Sequence, residues 1–204
     1  SEMCIRDRIN LNTFVKSFDL LMRKYEQKKL IQIALYVLQK TGGIDYYHLF
    51  KILYFAELKH LAKWGEKIIS DTFYALDYGP VPTLLYDVVK GYNIPNTDLL
   101  ELFSDNVLFA GKDAPNVLLP KCEADMNYIS KSEIEALDAS INENAHLTFG
   151  QLKEKSHDDA WYEAYHHLNG SNVISPISMA KVSGADEATL EYIREQIELE
   201  QALA

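Results

Sequence analysis

The chain has 204 residues, enough for one domain with a sizeable core, and its 48% hydrophobic and 25% charged content is that of an ordinary globular protein. Its net charge of −10 is uneven, with 15 basic and 14 acidic side chains in residues 1–121 against 5 and 16 in residues 122–204, which argues against duplex-DNA binding through clustered Lys and Arg. Two cysteines, Cys4 and Cys122, exclude a disulfide framework or a cysteine-built zinc site, and no window is apolar enough for a membrane span or a secretory signal.

Residues 3–8 (Met-Cys-Ile-Arg-Asp-Arg) resemble the translation of a sequencing-library adaptor. Residues 1–10 are therefore expected to be a non-native or disordered tail, with Cys122 the one native cysteine and residues 11–204 a single domain. Leu30, Ile33, Ala34, Val37 and Leu38 fall at helical spacing and make one apolar face. Thr41-Gly42-Gly43 ends that helix, because glycine takes the left-handed cap conformation. Asp45 is placed to N-cap a second helix that reaches about Trp64, where Gly65 stops it. One stripe of this helix is Leu49, Ile52, Leu53, Ala56 and His60; another is Phe55, Leu58 and Ala62. A helix apolar on two sides sits at the centre of its domain.

From residue 67 to 76 the pattern changes to β-branched and aromatic residues among polar ones, a short strand or extended corner. Pro80 and Pro82 fix their own φ and push Gly79 and Val81 out of the helical region, so residues 78–82 read as a rigid turn. Pro82 then opens a helix over about 83–91. Residues 93–97 read as loop and 98–103 as a short helix. The apolar runs 106–110 and 116–121, joined by residues 111–115, predict a β-hairpin. Ser130-x-x-Glu133 and Thr148-x-x-Gln151 are capping boxes, and Ser156-x-x-Asp159 is a looser version of the same device. Leu190, Ile193 and Ile197 line one face of an acidic C-terminal helix at about 186–203. The sum is a mainly α (α+β) fold, a single helical domain with a small antiparallel β-hairpin or sheet.

Lys51-Ile52-Leu53-Tyr54-Phe55-Ala56, His60-Leu61, Gly65, Ile69-Ser70-Asp71, Tyr74-Ala75 and Tyr78-Gly79-Pro80-Val81-Pro82 together carry a family signature. They resemble the core motif of the Panacea domain, the SocA-like antitoxin family of bacterial and phage toxin–antitoxin pairs. Ser156-His157-Asp158-Asp159-Ala160-Trp161 resembles the family's second motif, so the similarity runs from about residue 30 to 161. The resemblance implies a cytoplasmic antitoxin that binds and neutralises a cognate toxin encoded beside it. One style in the family is a proteolytic adaptor that hands the toxin to a AAA+ protease. The residues themselves point to no cofactor and argue against enzymatic activity, and a homodimer is compatible with them. Partner choice is expected in less typical segments, such as the 106–121 hairpin or the acidic terminal helix, where this chain departs from the family.

Tyr46, Tyr47, Tyr54, Tyr74, Tyr78 and Tyr86 are an unusual density of phenols. Tyrosines at helix surfaces can bury the ring and leave the hydroxyl wet, or serve as interface anchors of large rigid area. An ordered, aromatic, proline-fixed corner suits recognition better than catalysis. The residues singled out for partner binding are Tyr74, Tyr78, Pro80, Pro82, Tyr86, His157 and Trp161. No catalytic, cofactor-binding or metal-binding residue is assigned. His48, His60 and the pair His166-His167 lack the H-x-x-x-H spacing of a helical metal site, and Glu57-x-x-His60 alone is a weak pair. His157-Asp158-Asp159 could do acid–base chemistry, but Asp159 equally fits a first-turn acid that complements the helix dipole. Ser70-Asp71 and Ser156-His157 supply the residue types of a triad with nothing to fix their geometry and no G-x-S-x-G elbow. Gly42-Gly43 lacks the residues of a phosphate loop. Two alternatives stand beside the antitoxin reading: a DNA-binding autoregulator using the mildly basic 16–40 face, and a hydrolase or metalloenzyme centred on His157 and Asp71.

Overall fold

The protein is described by a computed structural model that covers residues 2–92, 98–168 and 170–203, with side chains for 20–92, 98–168 and 170–202. The loop expected at 93–97 lies outside the described residues, as do the side chains on which the reading of residues 3–8 depends.

The first helix, α1 (Glu2–Thr41), buries Leu30, Ile33, Ala34, Val37 and Leu38, the face that its spacing predicts. It ends as expected, with Gly43 N–H donating to the Leu38 carbonyl at 2.8 Å. After the two-residue strand β1 (Ile44–Asp45), Asp45 caps α2 (Tyr46–Trp64) by accepting from His48 N–H at 3.0 Å. Gly65 closes α2 with φ of 69° and an N–H bond to Leu61. Every residue of α2 from Leu49 to Leu58 is buried, because α1 and four later helices surround it. Burial on all sides takes in a lysine and a glutamate as well, Lys51 and Glu57.

Strands β2 (Phe73–Leu76) and β3 (Gly79–Pro82) form an antiparallel hairpin, registered Phe73 to Pro82 and Leu76 to Gly79. Residues 79–82 are thus a strand rather than the turn that two prolines suggest. The register explains how this is possible. The outer edge of β2 is used by residues 172–174: Ala75 N–H donates to the Asn172 carbonyl at 2.9 Å, and Ile174 N–H donates to the Phe73 carbonyl at 2.8 Å. In an antiparallel ladder the direction of bonding alternates, so Phe73 and Ala75 face away from β3 and their partners Pro82 and Pro80 need no N–H.

The helix α3 (Thr83–Val89) has no cap of its own, since Pro82 precedes it. Asp71 supplies one from a distance, accepting from Leu84 N–H and Leu85 N–H at 3.0 Å each and also from Thr72 N–H and the Thr83 hydroxyl. Next come α4 (Leu99–Asn106), β4 (Val107–Phe109) and β5 (Val117–Pro120). The predicted hairpin forms, and β1 joins it to give an antiparallel sheet of order β1-β5-β4. After a short 3-10 turn at Met126–Tyr128, the helices α5 (Lys131–Asn144) and α6 (Phe149–Ser156) both open on complete capping boxes. The looser box is corrected: Ser156 ends α6, and Asp158 caps α7 (Asp159–Tyr165) by accepting from Trp161 N–H at 2.9 Å. A side chain directly before the first turn reaches its amides better than one two residues further back. Helices α8 (Pro176–Val182) and α9 (Glu187–Leu203) complete the chain, with Leu190 and Ile193 of α9 buried on the core. The architecture is mainly α with two small antiparallel sheets. No helix among the described residues is long and apolar enough to cross a membrane.

Asp71→Ala leaves the Leu84 and Leu85 amides without their acceptor, and should lower the unfolding free energy by about 2 kcal/mol or more in urea titrations.

Candidate functional site

A lysine inside an apolar helix face organises the site from below. Lys51 is fully buried on α2, and its Nζ donates to the Pro80 carbonyl at 2.6 Å. Its other neighbour is the Tyr47 ring, 4.6 Å from Nζ to the centroid, and no carboxylate among the described residues pairs with it. Burial pushes the Lys51 amine down to about 7. The Gly79 backbone, at φ 96°, passes so close that an added Cβ would lie 2.5 Å from Ser156 Oγ and 3.1 Å from Lys51 Nζ. Only glycine fits that crossing.

The second motif grips the same hairpin from the other side. Tyr54 OH donates to both oxygens of Asp158, at 3.0 and 2.9 Å, so the aspartate that caps α7 also ties α7 to α2. Trp161 Nε1 donates to the Leu76 carbonyl of β2 at 3.0 Å. His157 stacks on Trp161 at 3.6 Å and 7°, and Trp161 stacks on Tyr165 at 4.5 Å. Tyr165 OH reaches Asp77 in the hairpin turn at 2.9 Å. Burial, together with the charges of Lys153 and Lys51, holds His157 below the usual histidine range.

These bonds engage in other tasks the side chains that the sequence offers for catalysis. Asp158 faces Tyr54 and the α7 amides, and His157 Nε2 has no hydrogen-bond partner, so the neighbouring carboxylate does not orient the imidazole. Ser156 is buried and donates to the Lys153 carbonyl, while Asp71 is committed to α3. The pair Glu57 and His60 is likewise engaged. Glu57 accepts from Ile68 N–H and Ile69 N–H and is pushed by burial up to about 8; the His60 ring nitrogens face the Glu66 carbonyl and Ser132 Oγ.

Above this hub opens a cleft of about 610 Å³. The start of α2 gives it Tyr46, Tyr47 and Phe50, the hairpin gives Tyr78, and α3 and α6 give Tyr86 and Phe149. The rings stand in two groups, Tyr47 to Phe149 at 4.3 Å with Tyr78 to Phe149 at 5.7 Å, and Tyr46 to Phe50 at 5.7 Å with Phe50 to Tyr86 at 6.2 Å. Tyr47 OH donates to the Tyr78 carbonyl at 2.9 Å, and burial raises this phenol to about 12. At the rim, Lys90 Nζ donates to Tyr46 OH at 2.7 Å and lies 4.4 Å from that ring, and Lys153 lies 5.2 Å from the Tyr78 ring.

Of the residues picked out from the sequence, Tyr78 (60% exposed) and half-buried Tyr86 line the cleft. Pro80 and Pro82 are buried in β3 below it. Trp161 is buried and His157 half-buried, both in the stack behind the hairpin. Tyr74 lies on β2, bridged to Val173, and does not line the cleft. Sequence reasoning did not single out Phe149, Lys90 or Lys51 as site residues. A usable signal existed for two of them: Lys51 interrupts an apolar stripe, and Phe149 (47% exposed) is a large apolar residue at the solvent-facing start of a capped helix.

A family model described as "Antitoxin SocA-like, Panacea domain" matches residues 49–162, more than half of the chain. That stretch holds the hub and most of the cleft wall. No curated protein and no solved structure matches the chain.

The depressed amine of Lys51 has a consequence for stability. Below pH 7 the lysine is protonated in both states and its burial is at its most unfavourable. Between about 7 and the ordinary 10.5 the unfolded chain binds the proton and the folded chain does not, so stability rises with pH. Relative to Lys51→Met, the natural protein should therefore gain about 2 kcal/mol between pH 7 and pH 9 in urea unfolding, and equal slopes would contradict the assignment.

Proposed function

The chain belongs to the SocA-like antitoxin family, the Panacea domain, and on that premise we propose that it binds and neutralises a cognate toxin through the aromatic cleft. The observation that carries this reading is a set of rings, exposed at Tyr78 and Phe149 and half-buried at Tyr46, Tyr47 and Tyr86, mounted on a hydrogen-bonded hub. Aromatic side chains give large contact area for little lost rotamer freedom, and they dominate interfaces when they stand on rigid backbone. Around the cleft, an interface of standard size, about 1,200–2,000 Å², masks the toxin stoichiometrically. In the adaptor version of the same reading, the toxin sits in the cleft while a AAA+ protease engages a separate surface. The exposed acidic side of α9, with Glu191, Glu195 and Glu198, is such a surface.

The autoregulator reading is weakened by the lysines it needs. Within the basic 16–40 run, Lys24, Lys29 and Lys40 lie 3.7, 2.6 and 3.2 Å from Asp98, Glu133 and Asp138, so part of that charge is already neutralised. A hydrolase reading has lost its geometry, since Asp71 and His157 serve separate structural roles.

The test is co-expression with the protein encoded beside this chain. Growth rescue with a stable co-purified complex supports neutralisation by masking, and rescue with disappearing toxin supports the adaptor version. The double variant Tyr78→Ala/Phe149→Ala should lose about 2 kcal/mol or more of binding free energy at an unchanged melting temperature. Full affinity in that variant would move the interface off the cleft.

A further inference from the structure

We infer that the cleft is built to receive a carboxylate-bearing, extended segment of the bound toxin, which deepens the toxin-binding reading above and rests on it. In a chain whose net charge is −10, cations are outnumbered by acids. Many of them have found carboxylates: Lys24, Lys29, Lys40, Lys59, Lys63 and Arg194 each sit within ion-pair distance of one. Lys90 and Lys153 at the rim of the cleft have not, nor have some lysines elsewhere such as Lys28, Lys67 and Lys131, but only the former two stand over an aromatic recess. Among the described residues, Lys90 and Lys153 pair with no acid and lie instead against tyrosine rings, at 4.4 and 5.2 Å, while Lys51 beneath them is spent on the Pro80 carbonyl. A ring face attracts an ammonium group without cancelling its charge.

The lining offers little to offset them. Asp45 is its one carboxylate, and His48 Nδ1 lies 2.6 Å from it, a contact that holds the histidine above its usual range. Asp77, beside Tyr78, is turned to Tyr165 on the far side of the hairpin. Lys90 uses one of its three hydrogens on Tyr46 OH, which leaves two for an incoming acceptor. The cleft is therefore a positive, aromatic-walled recess on an acidic protein. An occupant that satisfies both properties carries an Asp or Glu next to an aromatic or aliphatic side chain. About 610 Å³ holds a few such side chains rather than a whole helix, whose diameter alone is about 10–12 Å.

The experiment measures Kd for the protein encoded beside this chain, and for an array of overlapping peptides spanning it, against the natural protein and Lys90→Glu/Lys153→Glu. Lys131→Glu, on the exposed start of α5, is the control. The expected result is an affinity about tenfold or more weaker for the double variant, a flatter salt dependence, and no change in the control. The peptides that bind should be acidic, and converting their Asp or Glu to Lys should restore binding to the double variant. A toxin complex that the double variant forms at full strength overturns the inference and leaves the toxin-binding reading standing. So does selection of basic peptides, or a change confined to self-association, which would assign the cleft to the acidic α9 of a second copy. No complex with the natural protein overturns both.

Discussion

Everything in the functional half of this protein depends on one buried bond, from the Lys51 amine to the carbonyl of Pro80. A charged ammonium without a carboxylate is an expensive thing to bury, and a Leu or Met in its place would pack the same helix face. What the lysine supplies is reach and a donor. The β3 strand contains two prolines, so it has few amides with which to anchor itself, and Lys51 takes hold of it by a carbonyl instead. The cost is limited because the amine sheds its proton near neutral pH. Further along the same helix, Glu57 is treated in a matching way, held near 8 by burial and bound by two loop amides. Close to neutrality, α2 can carry both groups uncharged through the middle of the core.

The second grip on the hairpin comes from residues about a hundred positions later. Asp158 caps α7, receives Tyr54 from α2, and thereby places Trp161 where its indole N–H meets the Leu76 carbonyl. Gly79 is where these supports converge, with no room for a Cβ between Ser156 and Lys51. The two motif blocks that mark the family in sequence are thus the two halves of one clamp. This accounts for Lys51, Tyr54, Asp158 and Trp161 without invoking catalysis: their polar atoms are spent on holding a β-hairpin and α7 against a helix. The cleft then follows, because the clamped hairpin presents Tyr78 opposite Phe149 and Tyr47.

Much of this was legible in the sequence, for identifiable reasons. The central helix declared itself by two apolar stripes, and its ends by Asp45 and Gly65, because capping is local chemistry. The boxes at Ser130 and Thr148 were legible for the same reason. What escaped was long-range. β1 has two residues and no periodicity to read, and it exists because β5 offers an edge. Two prolines argue against a strand at 79–82 until the register shows that their missing amides point away from the partner. The Asp71 cap acts on a helix that starts well downstream. The cleft shares this property: Tyr46, Tyr86, Lys90 and Phe149 come from three helices with no common spacing, so only the packing brings them together.

The clamped hairpin and its aromatic cleft, rather than the acidic terminal helix, are the proposed toxin-facing surface. Hydrogen–deuterium exchange of the chain alone and in complex with the protein encoded beside it measures this directly. Slowed exchange confined to residues 45–50, 76–90 and the start of α6 is the predicted result. Protection that falls on α9 and leaves those segments unchanged would contradict it.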